Sequence, residues 1–170
     1  TMNKIKESLS QVADNEVYLF VDVNVQFLDK CRETIMDFMD GDKNNNDVCD
    51  IAFQKELDDV GVNLGVVAIR KTPKTIKFID NVMGDMHKLS QLDKIVVNNL
   101  LYTDAAKKKY SLCWKRLPSE FWCTSLAGEG KIPNKNICLH YANRISSINK
   151  YPKDDPISAE KKNVKKWVEE

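Results

Sequence analysis

Several features that mark large classes of protein are missing from this sequence of 170 residues. No apolar run approaches the roughly 20 residues of a membrane-spanning helix, and the N-terminus has no basic segment followed by an apolar one. The five cysteines form no Cys-x-x-Cys pair, which argues against a zinc ribbon or a disulfide framework and favours a reducing compartment. We therefore expect a cytoplasmic protein with no membrane span.

A large net charge is also missing. The 26 basic and 25 acidic side chains leave a formal net charge of +1. Because nucleic-acid binding requires a broad basic surface, we expect no nucleic-acid partner. The length fits a single domain over residues 1–170, with enough apolar content to form a core.

Two apolar segments have the pattern of buried strands. Residues 17–21, Val-Tyr-Leu-Phe-Val, have the length and the β-branched and aromatic content of a fully buried strand, which favours a parallel sheet. Residues 64–69, Leu-Gly-Val-Val-Ala-Ile, are a second candidate. Shorter strands are predicted at 111–117 and 136–140.

Other segments have helical periodicity. Helices are predicted at residues 3–12, 29–39 and 91–101, with a closing helix at about 158–169. A further helix is predicted to begin after Thr72, because threonine is a good N-cap and Pro73 suits the first helical position. Strands that alternate with helices indicate an α/β fold.

The first buried strand ends on an acid, Asp22, and Asn24 follows two positions later. In open α/β sheets, ligands gather at the carboxyl ends of the strands. An acid in that place, with a second oxygen ligand nearby, can hold a hard divalent cation. The plainer alternative is that Asp22 ends the strand and caps the next turn.

Three further features accompany this pair. Asn63 and Gly65 enter the second strand, where glycine allows close approach of the backbone. Asp93 lies at the start of a predicted helix, and His140 ends the last predicted strand. Taken singly, Asn63 and Gly65 are better explained by an ordinary turn into a strand, and His140 by a structural role. A favourable helix charge is the plain alternative for Asp93. His87, the other histidine, receives no role.

The order of these features resembles the nucleotide-diphospho-sugar glycosyltransferases of the A-type (GT-A) fold. The most similar group is the retaining enzymes that include the glycogenin-like and galactosyltransferase-like families. The matching motifs are Asp22-x-Asn24, Asn63-x-Gly65, the acid Asp93 that opens a helix, and His140-x-x-Asn with a later lysine. The segments NLGVVAIRKTPKTIKFID and KRLPSEFW also resemble that group, and the likeness extends from about residue 4 to residue 150. It implies a mostly parallel sheet flanked by helices.

The resemblance implies a metal site and a donor site. Asp22 and Asn24 match the pair that reaches the donor's ribose and the metal, and His140 matches the histidine that completes the metal site. Oxygen ligands suit Mg²⁺ or Mn²⁺, and an imidazole favours Mn²⁺. Gly65 belongs to the cofactor-binding set, and Lys150 matches a lysine near the donor diphosphate. A cation and a lysine there stabilise the charge of the departing nucleoside diphosphate.

The resemblance also implies residues at the transferred sugar. Asn63 and Asp93 match residues that face the sugar and the acceptor, and Lys94 stands where the family usually has glutamine near the anomeric carbon. The lysine leaves open whether the reaction retains or inverts the configuration, although the group is retaining. Asn24 replaces the second acid of the usual pair. Only 21 residues precede Asp22, where the family has a nucleotide-binding βαβ segment, so part of that N-terminal half is expected to be lacking. Three explanations stay open: further sequence upstream, a base-binding half supplied from elsewhere, or a protein that is no longer a transferase.

The function expected from this sequence is a metal-dependent glycosyltransferase. It would move a sugar from a nucleoside diphosphate donor, a UDP-sugar for preference, to a hydroxyl acceptor such as a glycan. A non-catalytic module that binds sugar nucleotides or a protein partner on the same fold is the first alternative. An α/β interaction protein with no small-molecule site is the second. Binding of a ligand to the native state alone raises the melting temperature, which separates these hypotheses.

Overall fold

A computed structural model describes residues 1–41, 48–56, 61–103, 109–123 and 135–140. Four helices lie in these ranges: α1 (Met2–Leu9), α2 (Arg32–Asp40), α3 (Pro73–Leu89) and α4 (Asp93–Tyr102). Seven strands lie in them as well: β1 (Val17–Val21), β2 (Val25–Phe27), β3 (Ile51–Lys55), β4 (Val62–Arg70), β5 (Trp114–Arg116), β6 (Phe121–Cys123) and β7 (Cys138–His140). The fold of this part of the chain is mixed α/β. The predicted closing helix at 158–169 and Lys150 lie outside the described residues.

The larger sheet has the strand order β1-β4-β3-β5. Strand β4 pairs antiparallel with β1 and with β3, and the β3–β5 pair is parallel. The prediction of a mostly parallel sheet is therefore wrong. Only residues 56–61 connect β3 to β4, too few for the helical crossover that a parallel pair requires, so these two strands must run antiparallel.

Strand β1 is half-buried, contrary to the prediction of a fully buried strand. In the part of the chain that is described, its one neighbour in the sheet is β4, so it lies at the sheet edge. Its side chains still alternate between two apolar regions. Tyr18 and Phe20 pack against one core cluster, while Val17 and Leu19 pack against the other. The apolar run of β1 therefore reflects a strand covered on both faces and open at one edge.

The smaller sheet has the order β2-β7-β6 and brings the last described segment beside the first. Strand β7 pairs antiparallel with β2, which places His140 opposite Val25, and parallel with β6, which places it opposite Cys123. His140 therefore lies on the middle strand of this sheet and is 4% exposed.

Two apolar clusters form the core of the described residues. The first lies between the larger sheet and helices α1, α3 and α4, and includes Ile5, Phe53, Phe78 and Val97. The second lies between the sheets and α2, and includes Ile35, Met39, Leu117 and Phe121. Burial of these side chains, at about 25 cal/mol for each Å² of apolar surface, holds both sheets in place.

The start of α3 is as the sequence predicts. Thr72 is the N-cap, and its hydroxyl accepts a hydrogen bond from the Thr75 backbone nitrogen. The Thr75 hydroxyl bonds back to the Thr72 nitrogen, which completes a capping box, and Pro73 occupies the first turn. Of the helices in the described ranges, none has the length and apolar character to span a membrane.

Candidate functional site

The candidate site is built on an irregular stretch of β4. Phe53 of β3 pairs with Val67, but the next residue, Gln54, pairs with Asn63. Two adjacent residues of β3 thus face residues four apart on β4, and Gly65 lies within the bulge. Bulges of this kind bend a strand and redirect its neighbours, and they are frequent beside active sites.

Asp22 and His140 each contact Gly65. A β-carbon at position 65 would lie 2.1 Å from Cε1 of His140, so the imidazole occupies the space that any other residue would fill. Directly after the neighbouring strand β1, the Asp22 backbone nitrogen donates to the Gly65 carbonyl over 2.8 Å. The two residues at the centre of the sequence hypothesis therefore both contact one glycine.

Gln54 sets the tautomer of His140. The Gln54 amide nitrogen donates to the carbonyls of Phe121 and Trp122, each at 3.1 Å. The amide oxygen is therefore the acceptor, and it lies 2.8 Å from His140 Nδ1. Nδ1 must carry the proton, which leaves the lone pair of the neutral ring on Nε2. This tautomer can bind a metal or accept a proton through Nε2.

The surroundings of His140 favour the neutral ring. Burial lowers the pKa of its imidazole below the ordinary value, and the positive charge of Lys94 acts in the same direction. The negative charges of Asp22 and Glu56 act against this shift without reversing it. All three charged side chains are thus close enough to influence the ring, and a neutral imidazole at neutral pH follows.

Glu56 is the residue that sequence reasoning missed. It directly follows β3 and is 8% exposed. Its Oε2 lies 2.8 Å from Lys94 Nζ and accepts from Asn63 Nδ2 over 3.1 Å. The available signal was the same pattern that identified Asp22, an acid directly after an apolar strand, here in IAFQKE.

Asn63 faces the interior of the site. Its amide donates to Glu56, and its side-chain oxygen accepts from the Gly65 backbone nitrogen over 2.8 Å. With 7% of its surface exposed, it has most of its hydrogen-bonding capacity used within the fold. Asn63 therefore connects the bulge at Gly65 to the Glu56–Lys94 ion pair.

Asp22 and Asn24 lie in the turn between β1 and β2, and both are half-buried. An Asp22 carboxylate oxygen accepts from the Val23 backbone nitrogen over 2.8 Å, and the Val25 nitrogen donates to the Asp22 carbonyl over 3.2 Å. Asp22 therefore does stabilise its own turn, as the plainer alternative holds. Within the described ranges, Val23 is the hydrogen-bond partner of the Asp22 carboxylate, and it leaves the second carboxylate oxygen for a ligand.

Asp93 is the predicted site residue with different partners. It is the first residue of α4, and its Oδ1 accepts from the Lys94 backbone nitrogen over 2.9 Å. Its Oδ2 lies 3.0 Å from the Thr1 amino nitrogen, beside the start of α1. Among the described residues, no hydrogen bond or ion pair connects its carboxylate to Asp22, Asn63 or His140.

The side chains at the site carry the kinds of ligand atom that a hard divalent cation accepts. Asp22 supplies a carboxylate oxygen, Asn24 an amide oxygen, and His140 the Nε2 lone pair that its tautomer leaves free of a proton. Within the described ranges, no three side chains of His, Cys, Asp or Glu are grouped so as to hold a metal. A cation here would therefore depend on Asn24, on water and on oxygens of the ligand itself.

Cys123 is not a nucleophile in this site. Its sulfur lies 3.4 Å from His140 Nδ1, which suggests a thiol–imidazole pair. However, Nδ1 is occupied by the Gln54 hydrogen bond, and burial raises the pKa of the Cys123 thiol far above its ordinary value. The sulfur therefore remains a protonated thiol.

Comparisons of the chain with protein-family models, with curated proteins and with solved structures gave no match.

Proposed function

We propose that this protein is a metal-dependent glycosyltransferase that moves a sugar from a nucleoside diphosphate sugar to a hydroxyl acceptor. We infer that its mixed α/β architecture is a variant of the A-type glycosyltransferase fold. The observation that carries the proposal is the convergence of Asp22 and His140 on Gly65. Three features of the resemblance, far apart in sequence, thereby meet at one place in the fold.

In this proposal Asp22, Asn24 and His140 Nε2 hold Mn²⁺, or Mg²⁺ as the alternative. The bound cation would offset negative charge on the donor's diphosphate. The support from the chain is chemical. The tautomer set by Gln54 presents a lone pair at Nε2, and burial keeps the ring neutral, as a metal ligand must be.

Lysines provide the remaining positive charge in the proposed reaction. Lys94 has 40% of its side chain exposed and carries its ammonium beside the polar residues of the site. By its match to the family, Lys150 would also approach the diphosphate. A departing nucleoside diphosphate is stabilised by positive groups already fixed in position, because they need not reorganise during the reaction. A UDP-sugar is the donor we propose to test first.

Asn63, Gly65 and Asp93 keep the roles that the resemblance implies. Gly65 allows His140 to approach the strand. Asn63, which is almost fully engaged within the fold, would orient the sugar through its one remaining N–H and through the geometry that it imposes on Gly65. Asp93 would face the acceptor side at the start of α4.

A thermal-shift screen tests this proposal directly. Nucleoside diphosphate sugars, with and without Mn²⁺, are expected to raise the melting temperature of the wild-type protein, because a ligand that binds only the native state stabilises it. Asp22→Ala and His140→Ala should each abolish the Mn²⁺-dependent part of the shift and of donor hydrolysis. The His87→Ala variant, altered on the exposed face of α3, should behave as wild type. Normal turnover by Asp22→Ala or His140→Ala would refute the site assignment.

A second candidate is a non-catalytic module that binds a sugar nucleotide or a partner. The observations in its favour are the neutral Asn24 in place of a second acid and the use of Asn63 within the fold. Isothermal calorimetry combined with product analysis separates the two candidates. Donor binding with no sugar transfer to any of several hydroxyl acceptors would favour the binding module.

A further inference from the structure

The ion pair between Glu56 and Lys94 is uneven in its exposure. The Glu56 side chain is 10% exposed and the Lys94 side chain is 40% exposed. A carboxylate buried to this extent is costly unless it is paired and hydrogen-bonded, so Glu56 requires the donors that surround it. The Lys94 side chain, by contrast, remains partly open to solvent.

Two donors converge on one oxygen of Glu56. Lys94 Nζ lies 2.8 Å from Oε2, and Asn63 Nδ2 lies 3.1 Å from the same atom. An ammonium has three N–H groups, and this contact uses one of them. The other two can point toward a ligand. Glu56 therefore fixes the position of the Lys94 ammonium and leaves that ammonium able to bind an anion.

Lys94 would be poorly positioned without this partner. Its side chain has four flexible bonds, and a free ammonium on such a stem samples many rotamers. Its backbone is fixed, since Asn98 donates to the Lys94 carbonyl over 2.8 Å within α4 and to the Val62 carbonyl of β4 over 3.0 Å. Anchored backbone and anchored ammonium together define where the charge lies.

We propose that Glu56 is a positioning residue of the candidate site, which holds the Lys94 ammonium and the Asn63 amide so that the lysine can bind a diphosphate group. This inference rests on the proposed function for the identity of the diphosphate as part of a sugar donor. The positioning itself depends only on the contacts of Glu56, Lys94 and Asn63. Lys94 and Glu56 then act as one unit, and loss of either has the same effect on diphosphate binding.

Calorimetry with UDP plus Mn²⁺, and separately with inorganic pyrophosphate, tests this inference. Glu56→Gln keeps the shape of the side chain and an acceptor for Asn63, but removes the charge. We expect it to weaken binding of both probes by about tenfold, the effect of one lost charge-assisted hydrogen bond. Lys94→Gln should weaken binding to a similar extent. The double variant Glu56→Gln/Lys94→Gln should be no weaker than either single variant, because the two residues act together.

The chain provides a matched control in a second ion pair. Lys6 Nζ lies 2.6 Å from Asp80 Oδ1, with both side chains about half exposed. Lys6→Gln and Asp80→Asn are expected to leave the affinity for both probes unchanged. Thermal melts of every variant verify that it folds. If the unpaired charge of a single variant unfolds the protein, the double variant Glu56→Gln/Lys94→Gln, which has no unpaired charge at this pair, still tests the inference.

Nuclear magnetic resonance distinguishes a positioning role of Glu56 from a role in stability alone. In Glu56→Gln, the ¹⁵N signals of the Lys94 ammonium and the Asn63 amide should show increased mobility, while the backbone amides of α4 stay unchanged. If Glu56→Gln binds both probes as wild type does, the inference is overturned. If Lys94 binds pyrophosphate and this binding depends on Glu56, but no sugar nucleotide binds, the inference stands and the proposed function fails. If pyrophosphate does not bind the wild-type protein, the inference is overturned.

Discussion

The imidazole of His140 lies against the α-carbon of Gly65, in the space where a side chain would otherwise begin. A β-carbon at position 65 would be 2.1 Å from Cε1, 2.2 Å from Nδ1 and 2.7 Å from Nε2 of the ring. Both residues are buried, and the Gln54 amide oxygen holds the ring at Nδ1 over 2.8 Å. The contact therefore makes glycine necessary at this position, for reasons of space.

Gly65→Ala should displace the His140 ring or distort β4. We expect a loss of about 1–3 kcal/mol in the free energy of unfolding, as is usual for an overfilled core position. Urea denaturation measures this loss. Gly84→Ala is the matched control, because among the described residues no atom outside its own helix lies within 4 Å of the added β-carbon. In the helical setting of α3 it should be neutral or add roughly 0.5–1 kcal/mol.

The clash also predicts coupling between the two positions. Truncation of the ring in the double variant Gly65→Ala/His140→Ala removes the atoms that the new β-carbon would meet. The loss in the double variant should therefore be smaller than the sum of the two single losses. Additive losses would show that the ring does not occupy the space beside Gly65.

The stability of the fold should depend on pH through His140. Burial lowers the pKa of this ring in the folded protein, whereas in the unfolded chain it titrates near its ordinary value of about 6.5. Between these two values the unfolded state binds more protons, so stability falls as the pH is lowered from about 6.5 toward the folded pKa. Urea melts of wild type and His140→Gln across this interval measure the contribution, which should be lost in the variant. His87→Gln, altered at an exposed position, should retain it; an unchanged slope in His140→Gln would contradict the prediction.

Gln54→Leu should destabilise the protein and release the tautomer of His140. The substitution removes the acceptor of Nδ1 and the donor to the carbonyls of Phe121 and Trp122, in a position with no exposed surface. Each buried polar group left unsatisfied costs about 1–3 kcal/mol. Denaturation gives the loss, and ring ¹⁵N shifts report the tautomer. Gln11→Leu, at an exposed position after α1, is the control and should change neither measurement.

Thr72→Ala tests the capping box of α3. The variant loses the hydroxyl that accepts from the Thr75 nitrogen. We expect a loss of about 1 kcal/mol, within the usual range for an N-cap threonine. Thr103 directly follows α4, and its exposed hydroxyl donates to the Leu100 carbonyl. Thr103→Ala should therefore lower the free energy of unfolding by less than Thr72→Ala does. Equal losses in thermal melts would show that the cap adds little.

The sequence predicted helix and strand boundaries well where a residue type has one strong structural preference. Thr72-Pro73 predicted the start of α3, and the strand at 17–21 has its predicted bounds. Sheet direction could not be obtained in this way, since an apolar strand covered on both faces has the same pattern in parallel and antiparallel sheets. Strands β2, β3 and β6 were missed. Two of them are three residues long, and such segments carry too little pattern to be distinguished from loops.

The candidate site was predictable only in part. Asp22, Gly65 and His140 were predicted as site residues from their places beside apolar strands, and the structure places the Asp22 backbone nitrogen and the His140 ring against Gly65. Glu56 and Gln54 were missed, because their importance depends on a bulge between β3 and β4 and on contacts with a distant segment. Such pairing leaves no local signal for Gln54, whereas Glu56 carried one, an acid directly after an apolar strand. Asp93 was identified, but its carboxylate has partners elsewhere.

The buried thiols provide a reporter of core opening. Cys49 and Cys138 are buried, and burial raises the pKa of each to about 12. Alkylating reagents react with thiolates, so these two sulfurs are inert while the core stays closed. Cys31 and Cys113 are half-buried, and their sulfurs are therefore more accessible than those of Cys49 and Cys138. Alkylation followed by mass spectrometry would therefore measure, for each cysteine, how often the surrounding part of the native fold opens to solvent. The measurement requires no knowledge of the substrate.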